Sequence, residues 1–176
     1  MSLELLPAGR RQTRSVDGTG SDYQTVGTTI SDNDISLVGV EYEDEPGIFI
    51  GYSKNTAVTK NNIHNLPYSG ISSGYGFYEP SYMSGNSYTD NYVHDVMQVL
   101  CDGGAIYTEN NQGTSTSFGQ VSGNLMTNVQ PGPGGLAGGH QGYYPDLGTG
   151  YTETRDNVFY NIGSNWYNSW TSGPPQ

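Results

Sequence analysis

The sequence of 176 residues is poor in cysteine, in positive charge and in long apolar segments. Its single cysteine, Cys101, excludes an intrachain disulfide. No apolar run approaches the roughly 20 residues that a transmembrane helix needs, so no membrane segment is expected. No window places apolar residues in a sustained stripe at helical spacing, so the chain is not expected to be helical either.

The scarcity of lysine and arginine limits the partners that the chain can have. The formal net charge is −11, and only Lys54, Lys60 and Arg155 lie beyond the first 14 residues. A nucleic-acid groove needs clustered cations that replace counterions. A groove for a polyuronate needs them too, because that ligand is also a polyanion. We therefore expect no nucleic-acid partner, and a neutral ligand is favoured over a charged one.

What the sequence does contain is a five-fold repeat built around an asparagine. Its members lie 28, 30, 33 and 33 residues apart: Asn33, Asn61, Asn91, Asn124 and Asn157. The second position after each is apolar: Ile35, Ile63, Val93, Met126 and Phe159. The fifth position is apolar as well: Val38, Leu66, Val96, Val129 and Ile162. Periods of 20 to 50 residues indicate a stacked architecture, in which neighbouring units bury what one unit cannot.

The repeat length predicts an all-β fold, a right-handed parallel β-helix of about five coils with long loops. Strands are expected to run through each asparagine and to open again at Gly-apolar pairs such as Gly70-Ile71. An asparagine that recurs at one bend can bond its own turn and the amide of the next coil. An antiparallel sandwich is the alternative, but its strands usually recur every 8–12 residues.

The repeat also predicts the domain organisation. Residues 1–27 do not fit it and are expected to form an irregular lead-in, whereas residues 28–176 form one β-helix domain. Long loops are expected at residues 78–87 and 130–139, where the spacing between strands grows. Loops on one face of a solenoid often form its binding wall.

Three carboxylates are the candidates for catalysis. Asp102 lies between an apolar stretch and a Gly pair, and Asp146 lies on the corresponding strand one coil later. Two carboxyl groups that face one cleft are the usual equipment for glycoside hydrolysis. If Ile106 aligns with Tyr143, however, the residue beside Asp146 is Glu109, and Asp102 is displaced along the coil. The sequence leaves both pairings open.

Histidines and aromatic residues are the candidates for substrate binding. His94 lies near Asp102 in the sequence, and His140 stands beside the Gly-rich loop. Tyr107, Tyr144 and Trp166 offer the apolar faces with polar edges that suit sugar rings. Aromatic residues that cap an open end of the solenoid are the alternative interpretation.

No cofactor is expected from these residues. The three histidines do not have a tight metal-binding spacing, so no transition-metal site is predicted. An acidic run at residues 41–45 could bind calcium through its oxygens. A solvated loop is the other interpretation of that run.

Four stretches of the chain form a recognisable pattern: residues 91–95 (Asn-Tyr-Val-His-Asp), 102–108 (Asp-Gly-Gly-Ala-Ile-Tyr-Thr), 143–146 (Tyr-Tyr-Pro-Asp) and 157–161 (Asn-Val-Phe-Tyr-Asn). In these stretches the chain resembles bacterial right-handed parallel β-helix glycoside hydrolases of the fucosidase and xylanase type. The similarity covers about residues 28–165 and is to the C-terminal coils of those enzymes. It implies that Asp102 and Asp146 hold the catalytic carboxylate positions. Ala105 and Pro145 depart from the pattern.

These features together favour a glycoside hydrolase-like domain that acts on a neutral polysaccharide or oligosaccharide and is secreted or periplasmic. The alternative is a non-catalytic carbohydrate-binding or adhesin-like β-helix, or an inactive fragment of such an enzyme. A polysaccharide lyase is less favoured, because it needs a basic residue near the acids. The sequence does not determine the oligomeric state.

Overall fold

A computed structural model describes residues 24–74 and 82–170, and every structural statement below refers to these residues. They contain sixteen β-strands and no helix. The strands are β1 (Thr25–Val26), β2 (Thr29–Ser31), β3 (Asp34–Ser36), β4 (Ile48–Ile50), β5 (Ser53–Lys54), β6 (Ala57–Thr59), β7 (Asn62–His64), β8 (Ile71–Ser73), β9 (Ser87–Thr89), β10 (Tyr92–Val96), β11 (Gly103–Thr108), β12 (Gly119–Ser122), β13 (Leu125–Val129), β14 (His140–Pro145), β15 (Thr152–Arg155) and β16 (Val158–Ile162).

The strands form three long sheets that run along the stacked coils. Sheet 1 has the order β2-β6-β9-β12-β15, sheet 2 has β3-β7-β10-β13-β16, and sheet 3 has β4-β8-β11-β14. Every strand pairing is parallel, including the short pair β1-β5. The prediction of a parallel β-solenoid is therefore confirmed, and an antiparallel sandwich is excluded. The expected five coils correspond to the five strands of sheets 1 and 2, while sheet 3 has four.

The core consists of the apolar columns that the repeat predicts. In sheet 2 the second-position residues pair in register, as Ile63 does with Val93 and Val93 with Met126. All three are completely buried. Sheet 1 contributes Val58 and Tyr88 at equivalent positions. Alternation along each strand turns these side chains inward, and stacking buries them against their equivalents in the neighbouring coils.

The five asparagines form a continuous ladder through the solenoid. Each of the first four donates its Nδ2 to the Oδ1 of the next, at 2.9 to 3.1 Å. The same Oδ1 accepts the backbone N–H of the preceding asparagine at 3.0 to 3.2 Å. A second Nδ2 bond reaches a carbonyl of the preceding coil, as from Asn91 to Val58. The inward amide stack predicted from the sequence is thus confirmed.

One detail of the strands differs from the prediction. The chain does not run through each asparagine as a single strand, because the residue before it adopts a left-handed conformation with φ between 56 and 68°. The fourth position after each asparagine is also left-handed, with φ between 51 and 56°. Asn and Asp tolerate this region better than other residues with a side chain. This explains why four of the five repeats have Asn or Asp there and makes Leu37 the exception.

The lead-in and loops are only partly described. Residues 1–23 lie outside the described residues, and Thr25–Val26 form β1 beside β5. Of the loop expected at residues 78–87, residues 78–81 also lie outside, and residues 130–139 contain no strand. Within the described ranges, no helix has the length and hydrophobicity to cross a bilayer.

Candidate functional site

The outer face of sheet 3 carries a column of four side chains. Phe49, Ser72, Tyr107 and Tyr144 pair in register on successive coils. The rings of Tyr107 and Tyr144 meet edge to face, with centroids 5.3 Å apart. Both tyrosines point outward but are only 7% and 5% exposed, whereas Phe49 is 52% exposed. The two tyrosines predicted to bind substrate therefore lie side by side in a covered part of this face.

The candidate acids follow directly at the end of the strands of sheet 3. Gly51, Gly74, Glu109 and Asp146 occupy one position on four successive coils, one residue beyond the paired strands. Each of the last three donates its N–H to the preceding coil, at 3.0, 2.9 and 2.8 Å. Equivalent backbones in neighbouring coils lie about 5 Å apart. The alignment that places Glu109 beside Asp146 is thus the one that the structure adopts.

Asp146 is held by a hydrogen bond within the outer column. The Tyr107 hydroxyl donates to Asp146 Oδ2 at 2.7 Å. Asp146 is only 7% exposed, and Glu109 is half-buried. The two carboxyl groups therefore have different surroundings although they occupy equivalent positions.

Asp102 joins this group from the other end of the strand. It precedes β11 with a left-handed φ of 60°, and its side chain is exposed. The Tyr144 hydroxyl donates to Asp102 Oδ1 at 3.3 Å. A Cβ at Gly139 would lie 2.6 Å from the Asp102 backbone nitrogen, so glycine is needed where the next coil passes. The turn at Asp102 thus brings this carboxylate within reach of Tyr144, although it is several residues away along the strand.

The surroundings of the group shift the pKa values of Glu109, Tyr107 and Tyr144. Burial raises the pKa of Glu109, and the negative charge of Asp146 raises it further. Burial also raises the pKa of Tyr107, and its hydrogen bond to Asp146 adds to this. For Tyr144, burial raises the pKa first and the charges of Asp146 and Asp102 follow. Both tyrosines therefore remain neutral hydrogen-bond donors, and Glu109 keeps its proton to a higher pH than an ordinary glutamate does.

Two residues of this site were not identified from the sequence. The Tyr68 hydroxyl donates to the Asp102 carbonyl at 2.9 Å, and burial together with the Asp102 charge raises the Tyr68 pKa to about 12. Counting back three residues from the aligned pair Ile71 and Ile106 places Tyr68 opposite Gly103, one residue from Asp102.

The second residue that the sequence did not reveal is Gln112, which is completely buried below the acids. Its amide donates to the Glu109 carbonyl at 2.8 Å, and its Oε1 accepts from Ser73 Oγ at 3.0 Å and from the Tyr88 hydroxyl at 3.4 Å. Gln112 thereby fixes the turn that carries Glu109. No sequence signal marks it, because a glutamine after two asparagines is typical of a solvated loop.

His140 is buried in sheet 3, next to the turn that carries Asp102. It begins β14 opposite Gly103 and is 2% exposed. Burial lowers the pKa of His140, while backbone carbonyls of Leu100 and Leu136 favour the protonated ring. Among the described residues, its Nε2 has no hydrogen-bond partner. His140 is thus a buried histidine beside the acids rather than an exposed ligand group.

His94 lies on a different face from the acids. It belongs to β10 in sheet 2, where its ring stacks on His64 with centroids 4.9 Å apart. Its Nδ1 is 2.6 Å from Asp95 Oδ2, and its Nε2 is 3.1 Å from Asn62 Oδ1. The chain turns a corner between β10 and β11, so closeness in the sequence does not bring His94 to Asp102. Its role in substrate binding stays a prediction.

Trp166 lies at the last described coil. It is 63% exposed and contacts Phe159, with ring centroids 5.7 Å apart. Its carbonyl accepts the N–H of Tyr143 at 2.9 Å, which extends sheet 3 beyond β14. Trp166 is thus an aromatic residue that lies against the last described coil.

The acidic run shows no arrangement for a cation. Glu41, Glu43 and Asp44 are exposed. Across residues 24–74 and 82–170, no three side chains of His, Cys, Asp or Glu are placed to hold a metal ion.

Comparison with known proteins adds no family to this description. The chain matches no protein-family model, no curated protein and no solved structure. Its resemblance to β-helix glycoside hydrolases therefore depends on the short motifs and the solenoid fold alone.

Proposed function

We propose that the protein is a glycoside hydrolase-like β-solenoid that acts on a neutral polysaccharide or oligosaccharide. The observation that carries the proposal is the pair formed by Glu109 and Asp146 on neighbouring coils. Equivalent backbones on neighbouring coils lie about 5 Å apart, so two side chains that leave them on the same face can bring their carboxyl groups to the separation of about 5 Å that retaining glycosidases use. A substrate of this kind would place the protein outside the cytoplasm, secreted or periplasmic.

In this proposal one carboxyl group of the pair is the general acid and the other is the nucleophile. Glu109, whose pKa is raised by burial and by the charge of Asp146, would give its proton to the leaving glycosidic oxygen. Asp146 would form the bond to the anomeric carbon through Oδ1, while Tyr107 holds Oδ2. Water would then attack the same carbon and lose its proton to Glu109, which releases Asp146.

Asp102 has a supporting role in this proposal. It is exposed and bound by the Tyr144 hydroxyl, so it can accept hydrogen bonds from sugar hydroxyls. The scarcity of lysine and arginine supports a neutral substrate, since an anionic one would meet mainly carboxylates.

The test is turnover of aryl glycosides that differ in leaving group, with the variants Glu109→Gln, Asp146→Asn and Asp102→Asn. Loss of a general acid costs about 10²- to 10⁴-fold, so Glu109→Gln should slow substrates with poor leaving groups by this factor. It should slow dinitrophenyl glycosides much less, because that leaving group needs no proton. Asp146→Asn should slow both kinds.

Asp32→Asn is a matched control. Asp32 is an exposed residue in the turn between β2 and β3, and asparagine tolerates its φ of 57°. Turnover that is the same in wild type and in Glu109→Gln for poor leaving groups would remove Glu109 from the mechanism.

A second function is favoured by one observation. Asp146, Tyr107 and Tyr144 are all less than 10% exposed, which suits a solenoid in which these residues only stabilise the fold. A non-catalytic solenoid of this kind would bind carbohydrate through exposed residues such as Asp102. Binding of glycans without release of reducing sugar would support this function over hydrolysis.

A further inference from the structure

We infer that the outer face of sheet 1 carries a second carbohydrate site, centred on Phe118 and Glu153, which takes one neutral sugar ring. The proposed function supplies only the ligand class for this inference, because the site lies on a different sheet from Glu109 and Asp146.

The first observation is an open depression on this face. It has a volume of about 270 Å³ and is lined by Phe118, Thr152 and Glu153. Phe118 is 46% exposed although it is a large apolar residue. The Tyr151 ring meets Phe118 edge to face, with centroids 6.1 Å apart, so the Phe118 ring is held rather than free. A fixed aromatic face beside a depression is suited to the C–H face of a pyranose.

The second observation is the set of polar groups around the depression. Gln120 Nε2 donates to Glu153 Oε2 at 3.1 Å, and Arg155 Nε lies 3.5 Å from Glu153 Oε1. Gln120 and Glu153 pair in register on β12 and β15. The amide, the carboxylate and the guanidinium offer donors and acceptors side by side, which is the pattern that adjacent sugar hydroxyls require. Arg155 is shared between Glu153 and Asp156, whose Oδ2 lies 3.1 Å from Arg155 Nη1, so the group keeps a net negative charge and favours a neutral ligand over an anionic one.

The third observation is backbone strain at Tyr151. Its φ is 52°, a left-handed value that is a genuine outlier for a bulky residue. The Tyr151 carbonyl accepts the N–H of Gly119 at 2.8 Å, so the stacked coils hold this conformation. The same left-handed φ recurs at the equivalent corner of other coils, at Gly27, Asn55 and Gly85, so the corner itself belongs to the solenoid. What is particular to this coil is that a tyrosine stands where glycine or asparagine fits more easily, and its ring supports Phe118.

The experiment is amide NMR titration of the whole chain with the methyl glycosides of glucose, galactose, mannose and xylose. At least one should shift the amides of residues 118–120 and 151–155. Phe118→Ala should weaken that binding by about tenfold, the upper range for an aromatic contact. Tyr160→Ala is the matched control, since Tyr160 is a 70% exposed aromatic residue on sheet 2, and it should leave the affinity unchanged.

A second variant separates binding from folding. Tyr151→Asn relieves the left-handed strain, so it should unfold at the same temperature as wild type or higher, yet bind the sugar more weakly. Equal affinity in wild type and Phe118→Ala would overturn the inference, as would a titration in which no glycoside shifts these amides. If the sugars shift only residues 103–109 and 140–146, the second site is refuted and the proposed function is supported.

Discussion

The asparagine ladder allows a prediction that compares its middle with its end. Asn91 is 1% exposed and its side chain makes four hydrogen bonds to neighbouring coils. Asn33, at the first coil, is exposed and its side chain makes two bonds, to the Ser31 carbonyl and to Asn61 Oδ1, both at 2.9 Å. Asn91→Ala and Asn33→Ala remove the same atoms from different surroundings.

The expected costs follow from these contacts. A buried hydrogen bond contributes about 1 kcal/mol net, so the four bonds of Asn91 give a loss of about 4 kcal/mol. The Asn61 backbone N–H is left buried without its acceptor, which adds to the cost. Water replaces the partners of exposed Asn33, so its loss is expected to be below about 1 kcal/mol.

Urea unfolding followed by circular dichroism measures both free energies of unfolding. If Asn91→Ala is too unstable to fold, its transition temperature in a stabilising osmolyte gives the same ranking. Asn91→Asp is a further comparison, because it keeps the size and the acceptor but loses both Nδ2 donors. Equal costs at Asn33 and Asn91 would refute the view that the buried ladder stabilises the coils.

Two further predictions concern strain and protonation. Leu37 has a φ of 56° and is 68% exposed. Leu37→Asn should raise the free energy of unfolding by about 1 kcal/mol, because asparagine tolerates the left-handed region, whereas Leu37→Ala should not. An equal gain in both variants would contradict the strain argument. The pKa of Glu109 is higher in the folded chain than its ordinary value of 4.5, so Glu109 ionises more readily in the unfolded chain. This group therefore lowers the free energy of unfolding as the pH rises above about 4.5. Glu109→Gln should therefore unfold at a higher temperature than wild type near neutral pH, and the difference should shrink as the pH falls to about 4. A difference that is independent of pH between about 4 and 8 would contradict the shift.

Much of the fold was predictable because the repeat reports on contacts between coils. Ile63 and Val93 recur at one position since each buries the other, and Asn91 recurs with Asn61 since each bonds the other. The same counting placed Glu109 beside Asp146. Periodicity therefore predicts register, and register predicts which residues on different coils are neighbours.

The remaining features depend on corners, where counting fails. His94 and Asp102 are close in the sequence but lie on sheets 2 and 3, because the chain turns between β10 and β11. Asp102 reaches Tyr144 only because its backbone is left-handed. An aspartate adopts either conformation, so the residue type does not predict this turn. Gln112 fixes the Glu109 turn from inside the coil, and a polar residue in a loop gives no sign that it is buried.

Every sheet pairing in this solenoid joins one coil to the next. A duplicated coil would therefore keep one of its original's neighbours and meet a copy of itself on the other side, whose apolar residues and asparagine occupy the same positions, so the ladder of amides would continue through it. Such a duplication would move two outer side chains on either side of it apart by one coil spacing of about 5 Å. Lineages with this architecture can thus change the reach of a surface by whole steps, through gene duplication alone, while its chemistry is conserved.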